Sequence, residues 1–488
     1  MKTLLSFLII YIFMTSSYTQ TWFDKYFINA AMRIDYHHTG NAKAEYFSID
    51  RIYHYDGWNR SLNNLLDNFN NGKYFIKIYS VPEDKLIFSK GFDSYCGEYI
   101  TSDDAHNGIL KSFHETAIIP YPKEKIRFTI EKRNREKGFD PVFSQEIDPA
   151  FVNIVKENTN DPSVEVIPSL NSGAPEKKVD VVILAEGYTI KDKEKFEKDL
   201  KRFTGYFLEN EPYASMKQSF NIYGVFKPSV ESGTDEPPAN IFRNTALNTT
   251  FNSMGSERYL LTEDNKAVHD LAAYVPYDAI YIMVNHHKYG GGGIYNTFCT
   301  FTADAQFAKY LFIHEFGHSF AGLADEYYTS STAYNDFYPP GVEPNEPNIT
   351  ALPDKNNVKW KDMLSAGIEI PTPWEKAEFD KMDITWQKER AVMNAEVARL
   401  KREKADPKAI KEAEAAYAKK DKEHSELVDK YLKASKYAGK TGVFEGAGYA
   451  SEGLYRPMLD CIMFSKGDKP FCKICEAHIA KVIKFYSE

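Results

Sequence analysis

The sequence predicts an α/β domain preceded by an all-β sandwich, with an α-helical hairpin inserted in the α/β part. Three observations carry this. Residues 20–150 are built of short β-rich runs parted by turn residues. From Val179 onward, buried-strand runs alternate with helical patterns. Residues 371–438 are dominated by Glu, Lys and Ala and are broken once, at Asp406-Pro407.

The N-terminus reads as a signal peptide over residues 1–19. Lys2 gives the positive end, Leu4–Met14 the apolar run, and cleavage is expected near Thr19 or Gln20. The run is too short to span a membrane, and no cysteine follows it to carry a lipid. The expected product is an exported protein: periplasmic, cell-surface or extracellular. In the sandwich, Tyr74–Ser80, Lys85–Lys90, Ser112–Ile119 and Lys125–Lys132 are the strand runs. Asn70-Asn71-Gly72 and Pro82-Glu83-Asp84 are turns between them. Substrate docking, support of the following domain and a plain spacer are all open to this unit. Residues 151–178, with Asn171-Ser172-Gly173-Ala174-Pro175, read as a linker.

The α/β part, residues 179–488, opens with a buried strand at Val179–Leu184 and an amphipathic helix near Asp192–Phe207. Strands follow at Phe220–Phe226 and Ala279–Val284. His286 and His287 then read as strand-end residues. Gly290–Gly293 lets a backbone approach something closely. No Lys-Ser/Thr follows those glycines, so this is not a phosphate loop. The hairpin at 371–438 reads as a solvated charged arm or, more sharply, as a lid or exosite.

The chemistry is concentrated in His314-Glu315-Phe316-Gly317-His318. Asp304 is the expected N-cap of a helix in which Phe307, Leu311, His314 and His318 recur at helical spacing. Two histidines four apart stack on one face, where each can offer a neutral ring nitrogen to zinc. Glu315, beside the first, stands where it can take a proton from a zinc-activated water. Gly322 ends the helix in a left-handed turn, which lets the chain double back with a third ligand. Asp325 is the first choice for that ligand and Glu326 the second.

The block resembles the metzincin pattern of zinc peptidases. Gly322 comes four residues after His318 where that pattern has three, and the step from Gly322 to Asp325 matches. A closer resemblance is to the bacterial IgA-peptidase family of zinc metallopeptidases. The run from His314 to Tyr328 carries it, with Val181–Thr189, Gly442–Tyr449, Tyr455-Arg456-Pro457, Cys461-Ile462-Met463 and Phe471–Cys475. The resemblance covers most of residues 20–488. It implies a metzincin-like zinc peptidase domain behind an N-terminal β-domain, with one Zn2+ per chain. It also implies a protein or glycoprotein substrate, immunoglobulin among the candidates. Met463 would then be the Met-turn methionine beneath the metal, with Met458 the second choice. Some metzincins have a tyrosine two residues after that methionine; here the position is Ser465. Tyr455 or Arg456 is left as the donor to the tetrahedral intermediate, or as an ordinary packing residue. The strand before the zinc helix would pair with extended substrate.

Composition narrows the alternatives. The 488 residues carry a net charge of −9 and show no basic stripe, so nucleic-acid binding has no electrostatic support. No later segment is apolar enough for stable membrane insertion. Five cysteines leave at least one unpaired. Cys461, Cys472 and Cys475 cluster, which leaves room for one disulfide. A second zinc site lacks an obvious fourth ligand, His478 being the only one nearby in sequence. Cys96 and Cys299 read as buried and inert. Two rival functions stay open: a zinc hydrolase of a non-peptide amide or glycan-linked substrate, and a surface-binding protein with a structural zinc.

Overall fold

The computed structural model describes residues 21–156, 160–330 and 338–488. The apolar run Leu4–Met14 and the rest of the expected signal peptide lie outside the described residues.

A short helix, α1 (Trp22–Tyr26), leads into eight strands arranged in two four-stranded sheets. One sheet has the order β5 (Lys111–Pro122), β1 (Phe27–Gly40), β2 (Glu45–Asp56), β8 (Val155–Lys156). The other runs β4 (Lys85–Phe92), β3 (Tyr74–Ser80), β6 (Ile126–Arg133), β7 (Phe139–Ile147). Met32, Ile34 and Tyr36 of the first sheet share one buried cluster with Ile76, Ile78, Phe128 and Ile130 of the second. β5 and β6 feed that core with alternate residues, Ala117, Ile119 and Tyr121 from one and Ile126, Phe128 and Ile130 from the other, as the pleat requires. Helices α2 (Tyr95–Tyr99) and α3 (Asp103–His106) fill the crossing from β4 to β5.

β1 and β2 carry no clear strand pattern in the sequence, and in β1 the reason is its buried charges. It buries Arg33, Asp35 and His38 almost completely, so its polar residues mask the apolar alternation. Each is paired, as buried charges must be. Arg33 makes a two-point contact with Asp35 at 2.7 Å and reaches Asp270 at 2.7 Å. His38 lies between Glu45 at 3.1 Å and Glu115 at 3.2 Å.

The second unit is a mixed six-stranded sheet with helices on both sides. Its order is β13 (Gly291–Ile294), β14 (Phe298–Thr302), β12 (Ala279–Val284), β10 (Val179–Glu186), β11 (Phe220–Phe226), β9 (Glu165–Leu170). The four inner strands are parallel; β9 and β13 are antiparallel edges. β10 divides its side chains by parity. Val179, Val181, Ile183 and Ala185 face one core, while Val182 and Leu184 face the other. Burial on both faces is why β10, β11 and β12 read as nearly unbroken apolar runs. The first face is covered by α4 (Lys193–Glu209), α6 (Ala308–Ala321) and α9 (Lys473–Ser487), the second by α5 (Asn265–Ala272). Part of the segment read as a linker, 165–170, forms the edge strand β9, hydrogen-bonded to β11.

Between α6 and α9 the chain leaves the sheet for α7 (Lys376–Arg402) and α8 (Pro407–Ala434), joined by a short turn. Asp406 caps α8 through Lys408 N–H, and Pro407 takes the first helical position, where no donor is lost. The pair is no free arm: Phe379, Val428 and Leu432 belong to the main core. Farther out, Lys401 pairs with Glu236 at 3.3 Å and Arg402 donates to the Pro238 carbonyl. The chain returns through the hairpin β15 (Phe444–Ala447) and β16 (Ala450–Arg456). Among the described residues no helix is long and apolar enough to cross a membrane.

Candidate metal centre

Helix α6 begins at Ala308, after Phe307, rather than at the expected cap Asp304. Asp304 is drawn away by Lys195, 2.9 Å distant on α4. The helix is buried nearly all round, so its stability comes from packing more than from an amphipathic stripe. It ends where the sequence says it should. Gly322 is left-handed (φ 59°), its N–H bonded to the His318 carbonyl at 2.9 Å, and Leu323 N–H reaches the Gly317 carbonyl at 3.1 Å. A residue from the first domain completes this end: Asn71 Nδ2 donates to the Gly322 carbonyl at 3.0 Å. A Cβ at position 322 would lie 2.2 Å from Asn71 Nδ2, so this contact too requires glycine.

The reversal brings Asp325 back over the helix. His314 Nε2, His318 Nε2 and Asp325 Oδ1 form a triangle with all three sides 3.1 Å. Metal bonds of about 2.05 Å at tetrahedral angles would set such donors about 3.3 Å apart. The donor set therefore fits one small divalent ion. Each imidazole is held by its other nitrogen: His314 Nδ1 lies 2.9 Å from the Ile462 carbonyl, and His318 Nδ1 2.6 Å from the Leu323 carbonyl. A carbonyl partner fixes Nδ1 as the protonated nitrogen and turns the Nε2 lone pair inward. Tyr449 donates its hydroxyl to Asp325 Oδ2. Burial by itself would raise the Asp325 carboxyl, but His318 and His314 hold it well below the usual range. An ionised carboxylate at that place would suit a metal ligand.

Glu315 is buried beside this triangle. Desolvation raises its pKa, against the pull of His314 and His318. Strand β13 lies against it, and two glycines make that possible. A Cβ on Gly291 would sit 2.9 Å from Glu315 Oε1, and one on Gly293 2.5 Å from the Glu315 carbonyl oxygen. Met463 is fully buried beneath the helix: its Sδ would lie 2.9 Å from a Cβ on Gly317, between the two histidines.

The centre opens into a cleft of about 120 Å³, bounded by Gly291–Gly293, Arg258, Tyr289, Tyr327 and Tyr449, with Asp93 and Glu98 from the first domain. Arg258 donates to the Tyr327 hydroxyl at 3.1 Å. Tyr455 and Arg456 lie elsewhere. Tyr455 pairs in β16 and interacts with Glu445. Arg456 is fully buried, donates to the Gly446 carbonyl at 2.6 Å, and lies 3.9 Å from the Phe464 ring. Met458 is half-buried at the edge of the core. His286 and His287 pair with Glu236 and Glu414, each at 3.2 Å. Glu326, the second choice for third ligand, points away from the histidines toward Cys475, 3.3 Å off. The tyrosine-lined wall and the first-domain residues escaped sequence reading because isolated Tyr, Arg and Asp residues carry no motif.

A family model described as IgA Peptidase M64 matches residues 167–483, and one described as Peptidase M64 N-terminus matches residues 22–144. No curated protein matches the chain.

Proposed function

Because the chain belongs to the IgA peptidase M64 family, and is therefore a peptidase, we propose that it is an exported zinc endopeptidase with Glu315 as its proton-transfer group. The observation that carries this reading is the 3.1 Å triangle of His314, His318 and Asp325 beside a buried carboxylate.

When bound, zinc supplies Lewis acidity, polarising a carbonyl and acidifying a water. The rest is the work of the protein. Glu315, buried beside the triangle, is the carboxylate that takes a proton from the attacking water. Once protonated, it gives that proton to the departing amine. Arg258, on the cleft wall beside Tyr327, is the cation that would meet negative charge developing on the scissile oxygen.

An extended substrate has one open place on β13. The outer edge of Gly291 is already bonded, through Arg258 O and Leu260 N–H. Gly293, two residues on, turns its N–H and carbonyl the same way, toward the cleft. One or two main-chain hydrogen bonds there would align a peptide across the metal, with little demand on its side chains. Substrates are thus proteins or glycoproteins, and the family's description makes immunoglobulin A the first to test. The apolar run Leu4–Met14 supports export.

The test is Glu315→Gln beside wild type, with metal content and cleavage of casein and immunoglobulin A measured on both. The variant is expected to bind metal as wild type does and to lose hydrolysis by roughly 10²-fold or more. Cleavage at the wild-type rate by Glu315→Gln would overturn the role given to that carboxylate.

A further inference from the structure

Behind the first centre lies a second set of donors that no part of the peptidase reading uses. Glu326, Cys461, Cys472 and Cys475 offer one carboxylate oxygen and three sulfurs, all within 4.8 Å of one another and all buried. Cys472 Sγ and Cys475 Sγ are 3.5 Å apart, and Cys461 Sγ and Cys475 Sγ 3.9 Å. Glu326 Oε1 is 3.3 Å from Cys475 Sγ and 3.9 Å from Cys472 Sγ. A tetrahedral zinc with bonds of about 2.3 Å to sulfur and about 2.05 Å to oxygen places two sulfurs about 3.8 Å apart and a sulfur and oxygen about 3.6 Å apart. The observed separations bracket both values.

The surroundings point the same way. Glu326 is fully buried, and its Oε2 has no hydrogen-bond partner, although Oε1 accepts from Asn348 at 3.0 Å. A carboxylate placed among three thiols with an unmatched oxygen is costly unless a cation joins it. Cys472 is the N-cap of the fifteen-residue α9 and Cys475 lies in its first turn, where the helix dipole favours thiolates. Cys472 N–H also donates to Cys461 Sγ at 3.1 Å, a contact that suits a thiolate. All five cysteines are free, so no disulfide competes for these sulfurs.

We propose that Cys461, Cys472, Cys475 and Glu326 form a second, closed zinc site, structural in role, so that the chain holds two ions. Three thiolates select a thiophilic divalent ion, and four protein ligands leave no open position for substrate. The site also clasps the first centre. Glu326 follows the ligand Asp325, and its N–H donates to the Met463 carbonyl at 2.8 Å. The neighbouring Ile462 carbonyl holds His314.

The experiment loads the full-length chain with Zn2+, and separately with Co2+. It compares wild type, His318→Ala, Cys475→Ser and Glu326→Cys by metal content and by thiolate-to-cobalt charge-transfer absorption. The expected result is two ions in wild type and one in His318→Ala, with the charge-transfer band kept. Glu326→Cys should keep two ions and strengthen the band, showing that position 326 is a ligand even if Cys475→Ser fails to fold. One ion in wild type with no band would overturn the proposal, as would sulfurs found joined in a disulfide. A band in a protein that holds one ion would uphold this site and count against the histidine centre.

Discussion

At Gly293 a single methyl group would meet the Glu315 carbonyl oxygen at 2.5 Å and His318 Cβ at 3.0 Å. Neither can yield, because one is helix backbone and the other begins a side chain anchored to the Leu323 carbonyl. Gly293→Ala must therefore push β13 away from α6 or shift the helix that carries His314 and His318. A displacement of about 1 Å at a reacting centre costs on the order of 10²-fold in rate. The expected outcome is a fall of that size in kcat/KM, with an altered metal affinity. Gly205→Ala is the control: it lies in α4 with nothing within 4 Å of its Cβ, so activity should be unchanged and stability slightly raised. Equal activity in both variants would show that the close approach of strand and helix is not needed.

Among the elements, the helix pair α7–α8 is where charge content and packing tell different stories. Its Glu, Lys and Ala suggest a solvated arm, and few of its side chains are fully buried. Yet Phe379 is buried against Trp374, Tyr328 and Phe464, with Val428 and Leu432 in the same core. Tyr328 follows Tyr327 of the cleft wall, so the base of the arm supports that wall. Phe379→Ala is expected to destabilise the protein by about 3–5 kcal/mol. Denaturant melts of the two proteins would check this; a loss below about 1 kcal/mol would mean the arm is dispensable to the core. Helices of this length announce themselves through composition and through Asp406-Pro407. What they rest on does not, because a few apolar side chains among many charges fix no partner.

On the scale of the whole molecule, the first domain is built into the centre. Asn71 closes the end of helix α6, Asp93 N–H donates to the Tyr295 carbonyl beside β13, and Asp93 and Glu98 wall the cleft. Of the uses open to the β-domain, support of the peptidase unit is the one these contacts favour. Asn71→Ala leaves the Gly322 carbonyl buried without its partner, at an expected cost of about 1–3 kcal/mol. It should also weaken metal binding, since Asp325 follows directly on that turn. Thermal melting and zinc competition would measure the two effects; no change in either would reduce the domain to a spacer.

Much of this protein is local in origin and therefore legible. The histidines four apart, the glutamate between them and the glycine that turns the chain are set by helical periodicity and backbone sterics over fifteen residues. The buried strands β10, β11 and β12 show as apolar runs because both of their faces are covered. Tertiary structure decided the rest. It made a central strand of β1 by pairing its buried Arg33 and His38 with distant carboxylates. It brought Asn71, Asp93 and Glu98 to a centre more than two hundred residues away along the chain. It turned Glu326 from the histidines to three cysteines, giving them the fourth donor that His478, which bonds the Ala321 carbonyl at 3.1 Å, does not provide. The physical reason is the same throughout: periodicity and turn chemistry act between neighbours, whereas burial and charge pairing bind residues that only folding brings together.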